Sequence, residues 1–432
     1  MKNVVGFACV ICGTMYPADF RGYVCPDHGA EGILDVRYDY ERIGAGFTRE
    51  TLAADRNRTM WRYRPLMPLA TDAAVPPLTI GGTPLYDSKR LAAKLSIAKL
   101  WVKDEGRQPT ASLKDRASAM AVMKAQERGA EVVTTASTGN AAAALAGISA
   151  SVGLSSVIFV PSSAPEAKIA QLLAYGSRVA LVNGTYTDAF ELCMEAVEEY
   201  GWYNRNTGYN PFMTEGKKTA TLEILEELEW EAPDAIFVSV GDGSIIGGVH
   251  KAVKDAFALG WIDRVPRIFG IQAEGSDYLV QAFEDGEDVL TKPAISAVTI
   301  ADSISADLPR DRIKAMGAVT ETGGAYLRVS DDEILAAIPT LARGSGVFAE
   351  PAGAAPYAGL VEAVDRGLIG ADDRVVILAT GSGLKDVASV LKAVAAAGTE
   401  PMHIEPNLES LKAALSNERA TERNVGHDRP HR

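Results

Sequence analysis

The chain has 432 residues, 47% of them hydrophobic and 23% charged, the balance of a globular protein large enough for two or three packed units. Its net charge of −13 disfavours nucleic acid and anionic membranes as partners, since both need a basic surface. An anionic small molecule stays possible, because a pocket can be locally positive on an acidic protein. No apolar run is long enough for a membrane span, and the N-terminus lacks a secretory signal, so the expected compartment is the cytoplasm.

The first 35 residues form a small module rich in Cys, Gly and Pro. Cys9 and Cys12 are spaced as C-x2-C, and Cys25 and His28 follow as C-x2-H after twelve residues. Each pair is a short turn that aims two ligands at one point, and four such ligands complete a tetrahedral zinc site of the structural kind. The alternative is a set of reduced cysteines that holds no metal.

Residues 36–80 are mixed and polar, and we expect them to connect the module to the main body. From about 81 to 400, short β-rich runs alternate with Ala-rich helical stretches, which predicts parallel sheets covered by helices on both faces. The predicted strands are 100–103, 132–135, 156–160, 179–182, 235–240, 268–271 and 375–379, and the predicted helices include 114–128, 140–152, 187–200 and 217–229. Residues 416–432 are polar and charged, and we expect them to be disordered.

Lys114 begins the first of these helices, directly after a loop of small residues. A helix N-terminus disfavours a cation, so the ammonium form should be destabilised. That suits a lysine that must lose its proton and form a Schiff base. Considered alone, the pattern favours a surface lysine in the first turn of a helix.

Residues 135–142, Thr-Ala-Ser-Thr-Gly-Asn-Ala-Ala, follow an apolar strand and lead into an Ala-rich helix. The new helix leaves backbone N–H groups unpaired, and with the hydroxyls of Ser137 and Thr138 they can hold a carboxylate or a phosphate. A helix N-cap with close helix packing explains the segment equally well.

Residues 240–248, Val-Gly-Asp-Gly-Ser-Ile-Ile-Gly-Gly, also lie between a strand and a helix. Glycines let backbone amides approach an anion closely, so this turn can cradle a phosphate. The alternative is a dinucleotide-binding loop, but the spacing fits G-x-G-x-x-G poorly and no strand with an acidic end follows at the expected distance.

Residues 379–386, Ala-Thr-Gly-Ser-Gly-Leu-Lys-Asp, form the fourth motif at a strand end. Thr380 places a hydroxyl where the edge of a bound ring could rest. The alternative is an ordinary strand-to-helix turn.

The order of these four motifs resembles the fold-type II pyridoxal-phosphate (PLP) enzymes, such as the tryptophan synthase β-subunit, and within them the threonine synthase family. Residues 104–116 are similar to that family's D-E-x-x-x-P-T-G-S-F-K-D-R, and residues 82–85, 210–219, 350–355 and 380–386 resemble further motifs. The resemblance covers about residues 55 to 395. It implies an α/β fold of two parallel-sheet, three-layer domains with the cofactor in the cleft, the smaller one at about 115–215, preceded by the zinc-knuckle module.

The resemblance also implies the roles of individual residues. Lys114 would form the Schiff base with PLP and shuttle protons, Asn140 would bond the 3′-oxygen, and Thr380 would contact the pyridine nitrogen. The PLP phosphate would bind Gly241, Asp242, Gly243, Ser244 and Ile245, and the substrate carboxylate would bind Ser137, Thr138 and Gly139. A small amino-acid substrate and a homodimer are the family expectation.

Two departures from the family pattern concern the substrate. The arginine of N-S-x-N-P-Y-R, which binds the substrate phosphate in several family members, is replaced by Met213, which cannot donate a hydrogen bond. Arg205, Lys217 and Lys218 are the cations that could take its place. Residues 299–305, Thr-Ile-Ala-Asp-Ser-Ile-Ser, look more like the T-I-A-D-G segment of threonine and serine dehydratases.

The leading hypothesis is therefore the threonine synthase reaction, in which O-phosphohomoserine and water give threonine and phosphate. The second is an ammonia-lyase or β-replacement reaction on a hydroxy- or otherwise β-substituted amino acid. A third is a non-catalytic PLP-fold sensor, which the intact lysine and complete cofactor loops argue against.

Overall fold

The computed structural model describes residues 1–425 of the 432. The strands are β1 Val4–Cys9, β2 Met15–Pro17, β3 Leu34–Tyr38, β4 Leu85–Asp87, β5 Lys99–Asp104, β6 Val132–Ala136, β7 Ser155–Pro161, β8 Arg178–Val182, β9 Tyr203–Asn204, β10 Ala235–Ser239, β11 Arg267–Ala273, β12 Tyr326–Val329 and β13 Arg374–Ala379. The helices are α1 Tyr40–Gly44, α2 Arg49–Ala54, α3 Lys89–Leu95, α4 Lys114–Glu127, α5 Asn140–Ser151, α6 Glu166–Ala174, α7 Tyr186–Tyr200, α8 Phe212–Lys217, α9 Thr219–Glu227, α10 Ser244–Ala258, α11 Tyr278–Asp285, α12 Arg312–Thr320, α13 Asp331–Ser345, α14 Pro351–Asp365, α15 Val387–Ala396 and α16 Leu408–Val425. Short 3-10 turns lie at Gly29–Glu31, Met60–Leu66, Glu105–Arg107, Glu274–Ser276, Asp302–Ile304 and Gly383–Lys385.

The larger sheet has the strand order β12-β11-β10-β13-β5-β4 and is parallel except at β4, which runs antiparallel to β5. Both of its faces are buried. Along β10, Ile236 and Val238 belong to the core on one face, while Phe237 belongs to the core on the other. This alternation is expected of a strand covered by helices on both sides. The seven predicted strands are confirmed, whereas β4, β9 and β12 are short strands that the sequence did not predict.

The smaller sheet has the order β8-β7-β6-β9 and is parallel throughout. Helix α7 packs with one face, and α5 and α6 pack with the other. The helix predicted at 217–229 is divided in the structure, since α8 ends at Lys217 and α9 starts at Thr219. Within residues 1–425, no helix is both long enough and apolar enough to cross a membrane.

The N-terminal module is a three-stranded antiparallel sheet, β2-β1-β3, and its last strand runs to Tyr38, past the predicted boundary at 35. The Tyr38 hydroxyl donates to a Glu215 carboxylate oxygen at 2.6 Å. Lys251 of α10 donates to the Val36 carbonyl at 2.6 Å. The module therefore docks on the helix whose N-terminus follows the glycine-rich turn.

The segment expected to connect the module to the body carries α1, α2 and the 3-10 turn at Met60–Leu66. It is fastened to α9, because Arg62 forms an ion pair of 2.7 Å with Glu226. At the other end of the chain, α16 extends into the 416–432 segment that we expected to be disordered, and residues 426–432 lie outside the described part of the chain.

A buried ion network fixes the start of α4. The Arg116 guanidinium is fully buried and contacts Glu105 at 2.8 Å and Glu223 at 2.6 Å. Lys103 at the end of β5 lies 3.1 Å from Glu223. Burial by itself raises the pKa of Glu223, but Arg116 and Lys103 bring that pKa down to about 2. The network joins β5, α4 and α9, and so holds Lys114, two residues before Arg116, in place.

Replacing Arg116 with Met should lower the free energy of unfolding by about 3–5 kcal/mol, because two carboxylates would stay buried without their partner. Chemical denaturation measures this loss. The control is Arg42→Met, since Arg42 is an exposed partner of Asp39 at 3.2 Å and its replacement should cost under about 1 kcal/mol. Equal losses in the two variants would contradict the importance of the network.

Candidate active site

The carboxyl ends of strands from both large sheets meet at one cleft. A cavity in this cleft is lined by Leu113, Lys114, Asn140, Ser239, Ile245, Ser303, Ile304, Glu350, Ala352 and Thr380. Four of the residues predicted from the sequence, Lys114, Asn140, Ile245 and Thr380, are thereby brought together although they follow four different strands. The Ser239 hydroxyl is buried with no hydrogen-bond partner among the described residues.

A second cavity adjoins the first and shares Asn140, Ser303, Glu350 and Ala352 with it. Gly139 of the predicted carboxylate-binding loop lines this cavity, as does a 2.6 Å ion pair between Lys168 and Asp302. Ser137 and Thr138 lie in the same loop, but their side chains are not part of either lining. The Ser137 hydroxyl instead accepts from the Gly139 N–H at 3.2 Å.

Lys114 is the first residue of α4, and the loop before it is held against the segment that follows β13. The Leu113 N–H donates to the Thr380 carbonyl at 2.9 Å, and the Ser382 N–H donates to the Ala111 carbonyl at 3.0 Å. The segments that carry Lys114 and Thr380 are thus joined by backbone hydrogen bonds.

The Lys114 amine has a pKa lowered to about 8. Burial is the main cause, and the neighbouring Arg205 guanidinium adds to it, while Asp242 and Glu350 oppose it. The sequence predicted a destabilised ammonium from the helix N-terminus, but in the structure burial has the largest effect. A lowered pKa leaves more of the nucleophilic neutral amine near neutral pH.

The glycine-rich turn after β10 needs glycine because other backbone lies against it. A Cβ at Gly241 would lie 2.7 Å from the Ile304 Cα, and Gly243 has φ +94 with a Cβ position 2.9 Å from the Asp311 carbonyl oxygen. Ser244 then begins α10, whose first N–H groups have no partner within the helix. The Asp242 carboxylate accepts from the Arg310 N–H at 2.9 Å, so only the backbone of Asp242 is suited to an anion.

Lys217 at the end of α8 approaches this turn from the other side. Its side chain is 2% exposed, and its Nζ donates to the Ser244 hydroxyl at 2.7 Å. Burial, followed by the charges of Lys114 and Arg205, lowers the pKa of Lys217 well below its ordinary value. In the described part of the chain it has no carboxylate at ion-pair distance. A buried ammonium beside a hydroxyl and a helix N-terminus fits a phosphate.

Lys218, the next residue, has a different role. It is fully buried and paired with Glu215 at 2.5 Å and with Asp255 at 2.6 Å. Of the cations that the sequence left open, Lys218 is therefore a structural one. Met213 is also fully buried and lies in an apolar core, so its side chain takes no part in an anion site.

Glu350 is the site residue that sequence reasoning missed. Its carboxylate accepts from the Asn140 amide at 2.7 Å and lines both cavities. Burial raises the pKa of Glu350 to about 7, against the effect of the Asn140 hydrogen bond. Gly381 is needed beside it, since a Cβ there would lie 2.3 Å from Glu350 Oε1. The signal was present in the sequence, because Glu350 begins one of the segments that resemble family motifs.

The four predicted metal ligands of the N-terminal module converge. The ligand atoms of Cys9, Cys12, Cys25 and His28 all lie within 4.8 Å of one another. His28 Nδ1 is 3.5 Å from Cys25 Sγ and 3.9 Å from Cys9 Sγ. Ligands about 2.0–2.3 Å from one tetrahedral zinc ion lie about 3.3–3.8 Å from each other, so the cluster fits such an ion after a small contraction. The Tyr16 hydroxyl forms a hydrogen bond with Cys25 Sγ at 3.0 Å, beside the cluster.

Comparison with known proteins identifies the class. Residues 77–381 match the family model of the pyridoxal-phosphate dependent enzymes. The chain is 37% identical to the threonine synthase of Methanocaldococcus jannaschii, over 94% of this chain and 98% of that protein. It is 38% identical to the threonine synthase of Methanosarcina acetivorans, again over 94% and 98%. The processed form of threonine deaminase isoform 2 from Solanum lycopersicum is a structural relative, with TM-score 0.64 and 25% identity over 73% of this chain and 83% of that one.

The chain therefore belongs to the pyridoxal-phosphate dependent enzymes of the threonine synthase family. The family resemblance and the fold class predicted from the sequence are both confirmed.

Ala111, in the loop before Lys114, stands where the family motif has glycine, and it adopts φ +64. This left-handed conformation costs a residue with a Cβ about 1–2 kcal/mol. Replacing Ala111 with Gly should raise the free energy of unfolding by about 0.5–1 kcal/mol, after the larger chain entropy of glycine is subtracted. Thermal unfolding measures it.

The matched control is Ala117→Gly, three residues after Lys114 and inside the helix instead of the loop. Ala117 lies inside α4, so glycine there should cost about 1 kcal/mol. A destabilised Ala111→Gly variant would show that the loop is not strained.

Proposed function

We propose that this enzyme converts O-phosphohomoserine and water to threonine and phosphate. The observation that supports it is the charge in the cleft. Two buried cations, Lys217 and Arg205, lie near the half-buried Lys114 in a chain whose net charge is −13. Buried charges are costly unless they are paired. One phosphate, that of the cofactor, would pair with Lys217, and a phosphorylated substrate would supply a second.

The residues of the chain have separate tasks in this proposal. When bound, PLP supplies an electron sink for a carbanion at the substrate Cα. Lys114 removes the Cα proton and returns protons during the later steps. The turn at 241–245 and Lys217 hold the cofactor phosphate, while Asn140 and Thr380 orient its ring. The loop at 137–139 receives the substrate carboxylate. After the Cα proton, a Cβ proton is removed and phosphate leaves from Cγ. Cγ then takes up a proton, water adds at Cβ, and Cα regains its proton.

The test is incubation of the PLP-loaded enzyme with O-phosphohomoserine, with phosphate and threonine both measured. We expect equal amounts of the two products. Lys114→Ala should lose the visible absorbance of the lysine-bound cofactor and at least about 10³-fold in rate, since it removes both the covalent anchor and the proton carrier. If the wild-type enzyme releases neither product, the proposal fails.

A second candidate is the ammonia-lyase reaction. The segment at 299–305 favours it, because Ser303 and Ile304 line the central cavity and the segment resembles the dehydratase motif. This reaction would form a 2-oxo acid and ammonia from threonine or serine. The same preparation can be assayed for both products.

We also propose that Cys9, Cys12, Cys25 and His28 bind one structural zinc ion. Four protein ligands leave no open position for substrate, so the ion would hold the β1–β2 turn and the 25–28 turn together. Thiolate ligands require reduced cysteines, and for that reason we infer a cytoplasmic location.

Metal analysis of the purified, reduced protein should find one zinc ion per chain. Cys25→Ser should abolish it, because the cluster loses a thiolate. Cys193→Ala is the matched control, since Cys193 is buried in α7, outside the cluster, and the zinc should remain. A wild-type protein that takes up no zinc would reject the site.

A further inference from the structure

We propose that Arg205 binds the ester phosphate of the substrate, in place of the arginine that family members carry where this chain has Met213. The inference rests on the proposed function and names the residue that selects a phosphorylated amino acid. Its basis is a buried guanidinium that bonds to α4 one helical turn after Lys114 and has one nitrogen unused.

Arg205 directly follows β9, and its backbone N–H donates to the Thr134 carbonyl at 2.9 Å. It therefore lies at the carboxyl edge of the smaller sheet, next to the loop that follows β6. The side chain is 1% exposed. Burial lowers the pKa of Arg205 to about 10, so it stays a cation at neutral pH.

The guanidinium lies one helical turn from the lysine that carries the cofactor. Its Nε donates to the Ser118 hydroxyl at 3.1 Å, and Ser118 and Lys114 are four residues apart on α4. Side chains at that spacing lie on the same helix face, with Cβ atoms about 5–6 Å apart. The effect of Arg205 on the pKa of Lys114 agrees with this proximity.

The remaining contacts leave the guanidinium ready for an anion. Nη1 donates to the Thr207 hydroxyl at 2.8 Å, while Nη2 is buried without a hydrogen-bond partner. No carboxylate of the described side chains lies within ion-pair distance. A buried guanidinium with a free nitrogen is a costly arrangement by itself, and a phosphate satisfies it with charge-assisted hydrogen bonds.

The other cations near the cleft are engaged elsewhere. Lys217 donates to Ser244 at the glycine-rich turn, and Lys218 is paired with two carboxylates. Arg310 stacks on the Phe190 ring, 4.0 Å from its centroid. Of the two cations that line the second cavity, Lys168 is paired with Asp302 at 2.6 Å and Lys385 donates to the Gln171 side-chain oxygen at 3.3 Å. Arg205 differs from these cations because it is buried with one nitrogen that has no partner.

The test compares two ligands that differ only in the phosphate group. One is 2-amino-5-phosphonopentanoate, in which CH₂ replaces the ester oxygen of O-phosphohomoserine, and the other is L-norvaline. Both are titrated into the PLP-loaded enzyme and followed by the cofactor absorbance. The ratio of their dissociation constants gives the preference for the anionic group.

We expect the wild-type enzyme to prefer the phosphonate, and Arg205→Gln to lose about 10- to 100-fold of that preference, the range for a hydrogen-bonded charge. Glutamine can still bond Ser118 and Thr207, and the affinity for L-norvaline should stay within about twofold. The matched control is Arg264→Gln, at a guanidinium paired with Asp234 at 2.9 Å outside the cleft, which should change neither affinity.

The outcomes separate this inference from the proposed function. If the wild-type enzyme shows no preference for the phosphonate, both the proposed function and the role of Arg205 are rejected. A preference that survives in Arg205→Gln would reject Arg205 alone. If Arg205→Gln does not retain the cofactor, Arg205→Lys decides, because lysine keeps the charge but not the two-nitrogen fork. A fivefold or greater loss of preference there supports the inference, and an unchanged preference overturns it.

Discussion

The cleft of this enzyme depends on buried positive charge that the chain does not neutralise itself. Lys114 lines the cavity, and the buried Lys217 and Arg205 lie near it. None of the three has an ion-pair partner among the described side chains, and each has a lowered pKa mainly because of burial. The nearest acids are turned to other donors, Asp242 to a backbone N–H and Glu350 to Asn140. Anions from solution must therefore complete the site, and any anion that binds only the folded protein also stabilises it.

Charged residues that are neighbours in the sequence have different roles, since some stabilise the fold and others lie near the cleft. Arg116 and Lys218 each contact two carboxylates, whereas Lys114 and Lys217, close by in the chain, contact none at ion-pair distance in the described structure. The paired charges fasten α4 to α9 and α8 to α10. The unpaired lysines are then held in place and stay available to a bound anion, as preorganised electrostatics requires.

Much of this could be predicted from the sequence. The buried strands read as apolar runs, and the fixed order of four loop motifs placed Lys114, Asn140, Ile245 and Thr380 on one cavity. The short strands β4, β9 and β12 could not be predicted, since two to four residues carry too little pattern. Arg205, Lys217 and Lys218 could not be distinguished either, because their partners, such as Ser118, Ser244 and Asp255, come from elements distant in the sequence. Glu350 was overlooked for the same reason, as its role becomes visible only where Asn140 meets it.

The most direct measurement is a crystal structure of the PLP-loaded enzyme with 2-amino-5-phosphonopentanoate bound. The account predicts two phosphorus positions in the cleft. The first lies against the 241–245 turn beside Lys217, and the second lies within hydrogen-bond distance of the Arg205 guanidinium. A structure in which the cofactor phosphate binds away from that turn, or in which the cleft accepts no second phosphorus, would contradict it.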